Sequence, residues 1–171
     1  MNYKVLLNRI NHFIFDVDGV FTDGSVAIYK EELVRTFNAR DCYAIQYAVK
    51  LGYTVSIVTG GDSEPVKATF NALGVQDVHL KSHDKLKVFE QFLAPNGIEA
   101  ERALYMGDDI PDIPLLKTVL LPCCPLDASV DVKSNCQYVS PFIGGKGCVR
   151  DVVEQTLRCQ GKWLLEEAFQ W

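Results

Sequence analysis

The chain has 171 residues, enough for one domain with a well-filled core. Its hydrophobic content of 48% and charged content of 23% are those of an ordinary globular protein. A net charge of −5 gives no electrostatic reason to expect nucleic acid or an anionic membrane as partner. No run approaches the length of a membrane span, and Lys4, Asn8, Arg9 and Asn11 interrupt the first apolar stretch, so no signal peptide is read there. The six cysteines, Cys42, Cys123, Cys124, Cys136, Cys148 and Cys159, form no Cys-x-x-Cys pair and no zinc spacing. They read as buried free thiols in a reducing cytoplasm.

Phe13 to Phe15 is a continuous apolar run, the pattern of a buried central strand. It ends in Asp16-Val17-Asp18-Gly19, two carboxylates one residue apart, followed by Asp23-Gly24. Carboxylates facing one spot repel each other unless a cation or a proton lies between them. Ser25–Tyr29 and Leu33–Asn38, joined by Lys30-Glu31-Glu32, read as a β-hairpin over about 25–38. Asp41 is positioned to cap a helix to about Leu51, stopped by Gly52. Thr54–Val58 is a second buried strand, ending in Thr59-Gly60-Gly61-Asp62 at the entry of a helix over Ser63–Leu73. Val78–Leu80 is a short strand, and Ser82 or Asp84 caps the next helix. Ala103–Met106 is another strand, ending in Gly107-Asp108-Asp109-Ile110-Pro111-Asp112. Val119–Leu121 reads as a strand, Leu126–Val132 as a helical piece, Tyr138-Val139 as a strand, and about 148–169 as helix with a weak point at Gly161.

Strands alternating with helices predict an α/β fold: a doubly wound, three-layer, Rossmann-like and mainly parallel sheet. We see no repeat or linker, and read residues 1–171 as a single domain. In such sheets ligands lie beyond the C-terminal strand ends. Three polar strand ends should therefore meet in one cleft with Asp16, Asp18, Asp108, Asp109 and Asp112. Five carboxylates require a cation, and an all-oxygen set without His or Cys points to Mg²⁺. A carboxylate can attack phosphorus, a neighbouring acid can serve the leaving alcohol, and Thr59 with the amides of Gly60 and Gly61 can hold phosphoryl oxygens. Lys85 and Lys81 are both candidates for the balancing cation. Alone, the threonine and the lysine would be an ordinary turn residue and a surface cation; in this order, each at a strand end, they read as a site. His83 reads as a loop histidine, and Trp163 and Trp171 as cover against either this chain or a neighbouring subunit.

Phe-Asp-Val-Asp-Gly-Val-Phe-Thr-Asp-Gly, Ile-Val-Thr-Gly, Lys85 and Gly-Asp-Asp-Ile-Pro-Asp, spanning Phe13 to Asp112, resemble the four motifs of the haloacid dehalogenase superfamily of phosphatases. The resemblance implies Asp16 as nucleophile and Mg²⁺ ligand, Asp18 as general acid/base ligating through its main-chain carbonyl, and Asp108 as the third ligand. It implies Thr59 and Lys85 on the phosphoryl group, with Asp109 and Asp112 in support. Too few residues separate the motifs for a cap domain, only for the hairpin flap. The capless members that this chain resembles are the 3-deoxy-D-manno-octulosonate (KDO) 8-phosphate phosphatases. Asp23-Gly24, the run Phe37-Asn38-Ala39-Arg40-Asp41 and the loop Gly144–Arg150 carry that resemblance.

The subfamily likeness implies a phosphorylated sugar acid as substrate, with Thr22, Asp23, Asn38, Arg40, Gly60 and Gly61 near it, and a homotetramer with active sites built between subunits. Gly61 stands where the subfamily commonly carries Arg, and Arg40, Lys67 and Lys146 are the candidates to replace it. A nonulosonate 9-phosphate or acylneuraminate 9-phosphate phosphatase shares the frame. A signalling receiver domain would carry its acceptor aspartate after a later strand. A silent, tetramerising module would have lost acidic residues that are all present here.

Overall fold

Residues 2–30 and 32–171 are described in a computed structural model. The chain opens with a short helix, α1 (Tyr3–Leu7), and enters the sheet at β1 (His12–Phe15), whose four residues are all buried. A hairpin of β2 (Ala27–Tyr29) and β3 (Glu32–Val34) comes next, then α2 (Ala39–Lys50), β4 (Thr54–Val58), α3 (Glu64–Ala72) and β5 (Asp77–His79). The second half runs α4 (Lys85–Val88), β6 (Ala103–Met106), α5 (Ile113–Leu116), β7 (Leu121–Cys124), α6 (Val130–Lys133), β8 (Tyr138–Val139) and α7 (Cys148–Cys159). β5, β4, β1, β6, β7 and β8 lie side by side in that order, every pair parallel.

Alternation along β1 divides the core. Phe13 and Phe15 point into one layer, with Leu7, Ala44, Tyr47, Phe70, Val149 and Val153 from α1, α2, α3 and α7. Ile14 points into the other, with Phe89, Leu93, Leu115, Leu116 and Val132. Helices cover both faces, as the doubly wound pattern predicts. The chain leaves β1 toward β4 on one side and later toward β6 on the other, so the sheet's switch point lies at the end of β1. Register sets Phe15 level with Ile57 and Met106. The residues that follow those three positions therefore emerge together.

Several boundaries differ from the sequence reading. Asp41 does not cap its own helix. Asn38 does, accepting from the Arg40 amide at 2.9 Å. Asp41 instead lies buried in the first turn of α2 and accepts from the amides of Gly147 (3.1 Å) and Arg150 (2.6 Å), capping the start of α7. α3 begins at Glu64, so Gly60 and Gly61 belong to the loop before it. The strand expected at Val119–Leu121 runs from Leu121 to Cys124, and Leu126–Val132 is helical only from Val130. Asp84 is the cap of α4, accepting from the Lys87 amide at 3.0 Å. The terminal helix stops at Cys159; Gly161 (φ +68°) turns the chain, and only Glu166–Phe169 winds again, as a 3-10 turn.

That tail folds back on its own chain: Trp163 packs on Tyr47, and Trp171 edges against Tyr43. The hairpin forms with shorter strands than expected, paired Ala27 to Val34 and Tyr29 to Glu32: Glu32 belongs to the strand rather than the turn, residues 35–38 lie beyond it, and Glu31 lies outside the described residues. All six cysteines are free; Cys42, Cys123, Cys124 and Cys148 are buried as expected, whereas Cys136 is half-buried and Cys159, at the end of α7, is exposed. Among the described residues no helix is long and apolar enough to cross a membrane.

Candidate active site

Beyond the ends of β1, β4 and β6 lies a cavity of about 430 Å³. Asp16, Asp18, Thr59, Gly60, Gly61, Lys85, Asp108, Asp109 and Asp112 all line it, together with Ser82 and His83. The ladder runs past the strands to hold them: the Asp16 amide donates to the Met106 carbonyl, and the Thr59 amide to that of His79, both at 3.0 Å.

Asp16 is buried, with Oδ2 2.7 Å from Lys85 Nζ and Oδ1 accepting from the Val17 amide at 2.6 Å. Lys85 also reaches Asp112 Oδ1 at 2.5 Å, so one ammonium joins two carboxylates. Lys81 is an exposed residue paired with Asp62, outside this cluster. Of the two candidate lysines, Lys85 is the one in the cleft.

Asp112 has no acceptor capacity to spare. Oδ1 receives Tyr105 Oη (2.5 Å) and Lys85, and Oδ2 receives the amides of Asp108 (2.8 Å) and Asp109 (3.1 Å). Four donors fill the sites of one carboxylate. Asp112 therefore organises the loop rather than offering a ligand, although its oxygens lie close to those of Asp16 and Asp108. Gly107 is required for this packing, since a Cβ there would lie 2.3 Å from Asp112 Cγ. Gly19 (φ +83°) is under the same constraint from Asp108, whose Oδ2 would be 2.0 Å from a Cβ.

Electrostatics mark the remaining pair. Burial, only partly offset by Lys85, pushes the Asp16 carboxyl up to about 6. Burial and the repulsion of Asp16 and Asp112 push Asp108 up to about 7. Burial alone would lower the Lys85 ammonium, but Asp16 and Asp112 outweigh it and hold it above its ordinary value. A cation at Asp16 and Asp108 relieves what raises both carboxyls. The main-chain carbonyl of Asp18 accepts no hydrogen bond among the described residues, which leaves it available as a third oxygen. The donor set fits Mg²⁺: hard oxygens, few enough to leave places for water and a phosphoryl oxygen.

The expected substrate residues divide. Gly60 and Gly61 line the cavity, although the Gly61 amide is already turned on Thr59 Oγ1 at 3.2 Å. Thr22 is buried and shapes the loop, its Oγ1 accepting from Gly19 (3.3 Å) and Gly24 (3.2 Å). Asp23, Asn38 and Arg40 are not in the acidic cavity. Asp23 and Asn38 line one separate hollow, and Asn38 and Arg40 another, each shared with Lys146. Lys67 is absent from the acidic cavity as well. The Gly144-Gly145 loop lies under the aspartate loop so closely that a Cβ on Gly144 would stand 2.1 Å from the Gly19 carbonyl.

Two residues escaped the sequence reading. Tyr105 sits inside the apolar strand β6, and its hydroxyl was the signal: a buried phenol needs a partner, and the acidic loop follows directly. Arg35, just after β3, makes a two-pronged pair with Asp18, Nε to Oδ1 at 2.7 Å and Nη2 to Oδ2 at 2.9 Å. Its signal was the surplus of carboxylates over cations at the strand ends. Among the described residues, none of the hairpin lines the cavity.

No protein-family model matches the chain. Among curated proteins, the 3-deoxy-D-manno-octulosonate 8-phosphate phosphatase KdsC of Escherichia coli K12 is 34% identical over 161 residues, 94% of this chain and 85% of the relative. The chain belongs to the 3-deoxy-D-manno-octulosonate 8-phosphate phosphatase family, within the haloacid dehalogenase superfamily. The Yersinia pestis phosphatase of this family is 32% identical over 155 residues, 90% of this chain and 83% of its own. Its crystal structure superposes with a TM-score of 0.90, covering 94% of this chain and 88% of that one. A family structure from Moraxella catarrhalis, in complex with magnesium ion, phosphate ion and a KDO molecule, is 27% identical. It covers 95% of each chain with a TM-score of 0.90.

Proposed function

We propose that the protein is a magnesium-dependent phosphatase that hydrolyses 3-deoxy-D-manno-octulosonate 8-phosphate to the sugar acid and inorganic phosphate. The observation that carries this reading is the placement of Asp16: a buried carboxylate at the sheet's switch point, held on Lys85 and facing Asp18, Thr59 and Asp108 across one cavity. Family membership and the magnesium, phosphate and KDO in the Moraxella catarrhalis relative support the substrate and the ion.

The residues divide the work as follows. Asp16 attacks phosphorus and forms an aspartyl-phosphate as the ester bond breaks. Asp18 gives its proton to the departing sugar oxygen, then takes one from the water that opens the acyl phosphate. Lys85 and the Thr59 hydroxyl hold the transferring oxygens. Asp16, Asp108 and the Asp18 carbonyl would hold Mg²⁺, which offsets the charge of phosphate and carboxylates. Tyr105 and Asp112 fix Lys85 and the Asp108-Asp109 turn.

We further propose a homotetramer in the cytoplasm. The hairpin supports the assembly: Ile28, Tyr29, Leu33 and Val34 are all exposed, an apolar edge that a neighbour would bury, while the cavity lacks a cap. The free thiols suit a reducing compartment.

A phosphate-release panel tests the substrate. With Mg²⁺ present, the octulosonate 8-phosphate should be turned over faster than nonulosonate and acylneuraminate 9-phosphates, and far faster than hexose phosphates. Preference for a nine-carbon acid would reassign the substrate, and preference for hexose phosphates would remove sugar acids altogether.

A further inference from the structure

The hairpin's apolar side chains are exposed: Leu33 is 54% and Val34 44% accessible. The next residue, Arg35, does the opposite and turns its side chain inward to 8% exposure. Its guanidinium grips both oxygens of Asp18 in a fork geometry, at 2.7 and 2.9 Å. Such paired bonds fix orientation as well as distance. The fork lies beside the phosphoryl loop: a Cβ on Gly61 would stand 3.3 Å from Arg35 Nη2, a tight fit, and 3.7 Å from Asp18 Oδ2, an ordinary contact. Two residues further on, Phe37 packs against Phe21 and Phe70. The base of the hairpin is thus anchored in the core, and Arg35 is held at a fixed place relative to β1.

Arg35 does not line the cavity, whereas Asp18 and Gly61 do. It acts on the reaction through Asp18. We propose that Arg35 is the positioning residue of Asp18: its fork takes one lone pair on each carboxyl oxygen, fixing the group's direction, and leaves the other lone pairs to carry the proton that the leaving oxygen receives. The inference rests on the reading of Asp18 as the group that protonates the leaving alcohol. It makes the hairpin part of the catalytic apparatus of its own chain, in addition to any part it takes in assembly.

The test separates positioning from mere folding by the leaving group. A sugar alkoxide needs a proton as it departs, whereas p-nitrophenolate leaves without one. The ratio kcat/KM covers the steps up to departure of the leaving group, so slow opening of the acyl phosphate does not enter it. With the sugar-acid phosphate, Arg35→Ala should lower kcat/KM by about 10- to 100-fold, a share of the roughly 10²–10⁴ that a positioned acid contributes. With p-nitrophenyl phosphate the loss should stay within about 3-fold by the same reasoning. Arg35→Lys, which keeps the charge and loses the fork, should fall between. Arg35→Gln, closer in volume, replaces the alanine variant if that one does not fold.

Equal losses on both esters, or none on either, would overturn the role given to Arg35. Asp18→Asn distinguishes the two layers of the argument. If it shows the leaving-group split and the Arg35 variants do not, the inference fails alone. If Asp18→Asn shows no split, the role of Asp18 itself falls.

Discussion

Asp112 shows how a residue outside the bond-making steps can decide a site. Its four accepted hydrogen bonds tie together Lys85, Tyr105 and the turn that carries Asp108. Asp112→Ala would strand the Tyr105 hydroxyl and free the lysine. We expect a loss of about 1–3 kcal/mol in urea unfolding, the range for a buried polar group left unpaired, with phosphatase activity close to background. An unfolding midpoint equal to wild type would show that the network is not needed.

The raised carboxyls make a second residue-scale prediction. Asp16 titrates near 6 and Asp108 near 7, both above the ordinary carboxyl value of 3.8. The folded chain therefore keeps these protons where the unfolded chain has lost them. Their contribution to stability is full below that ordinary value and is lost as pH rises through the folded values. A cation needs the ionised forms, so Mg²⁺ competes with those protons. Thermal-shift titrations should give an apparent Mg²⁺ affinity about 100-fold tighter near pH 7.5 than near pH 5.5, because carboxyls near 6 and near 7 must both be ionised to hold the ion. Equal affinities at the two pH values would contradict the assignment of Asp16 and Asp108 as ligands.

At the scale of elements, the strongest constraint is the register of β1, β4 and β6, which brings three polar strand ends level. Much of this was legible. Apolar runs stopping abruptly at aspartates or at Thr-Gly-Gly mark buried strands whose ends face a cleft, and the placement of Asp16, Asp18, Thr59, Asp108 and Asp109 followed from that pattern, whereas Lys85 and Lys81 stayed level until the fold put Lys85 in the cleft. What escaped depended on distant partners. Asp41 has the look of a helix cap, and only the docking of α7 on α2 reveals whose amides it accepts. Pro122, Cys123 and Cys124 lack the β-branched character of a strand, so β7 was placed too early. Arg35 reads as one more hairpin cation until the fold brings it to Asp18. Asn38 and Arg40, given to the substrate by likeness of sequence, line other hollows of their own chain at the start of α2, and a site shared between subunits is where that expectation applies. Asp41→Ala should destabilise the protein by about 1–2 kcal/mol, the usual range for a lost cap, while kcat/KM remains within about 2-fold because the site contacts of β1 are untouched. Unchanged stability in that variant would show that the start of α7 needs no cap.

For the molecule as a whole, the open cavity and the apolar hairpin belong together. A site without a cap admits water and reads little of its substrate. A neighbour seated on Ile28 and Leu33 would remedy both deficits. Ile28→Lys combined with Leu33→Lys should lower the mass seen by sedimentation and raise KM for the sugar-acid phosphate more than it lowers kcat. A variant that sediments as wild type would exclude the hairpin as the assembly surface.

The central claim is that Asp16 opens a phosphate ester with Mg²⁺ in place. Its most direct test is phosphate release from 3-deoxy-D-manno-octulosonate 8-phosphate by wild type and by Asp16→Asn, with Mg²⁺ and with chelator. Turnover by wild type only with Mg²⁺, and none above background from a folded Asp16→Asn variant, is the predicted result. Release that persists in the variant or survives chelation, or no release by wild type, would contradict the account.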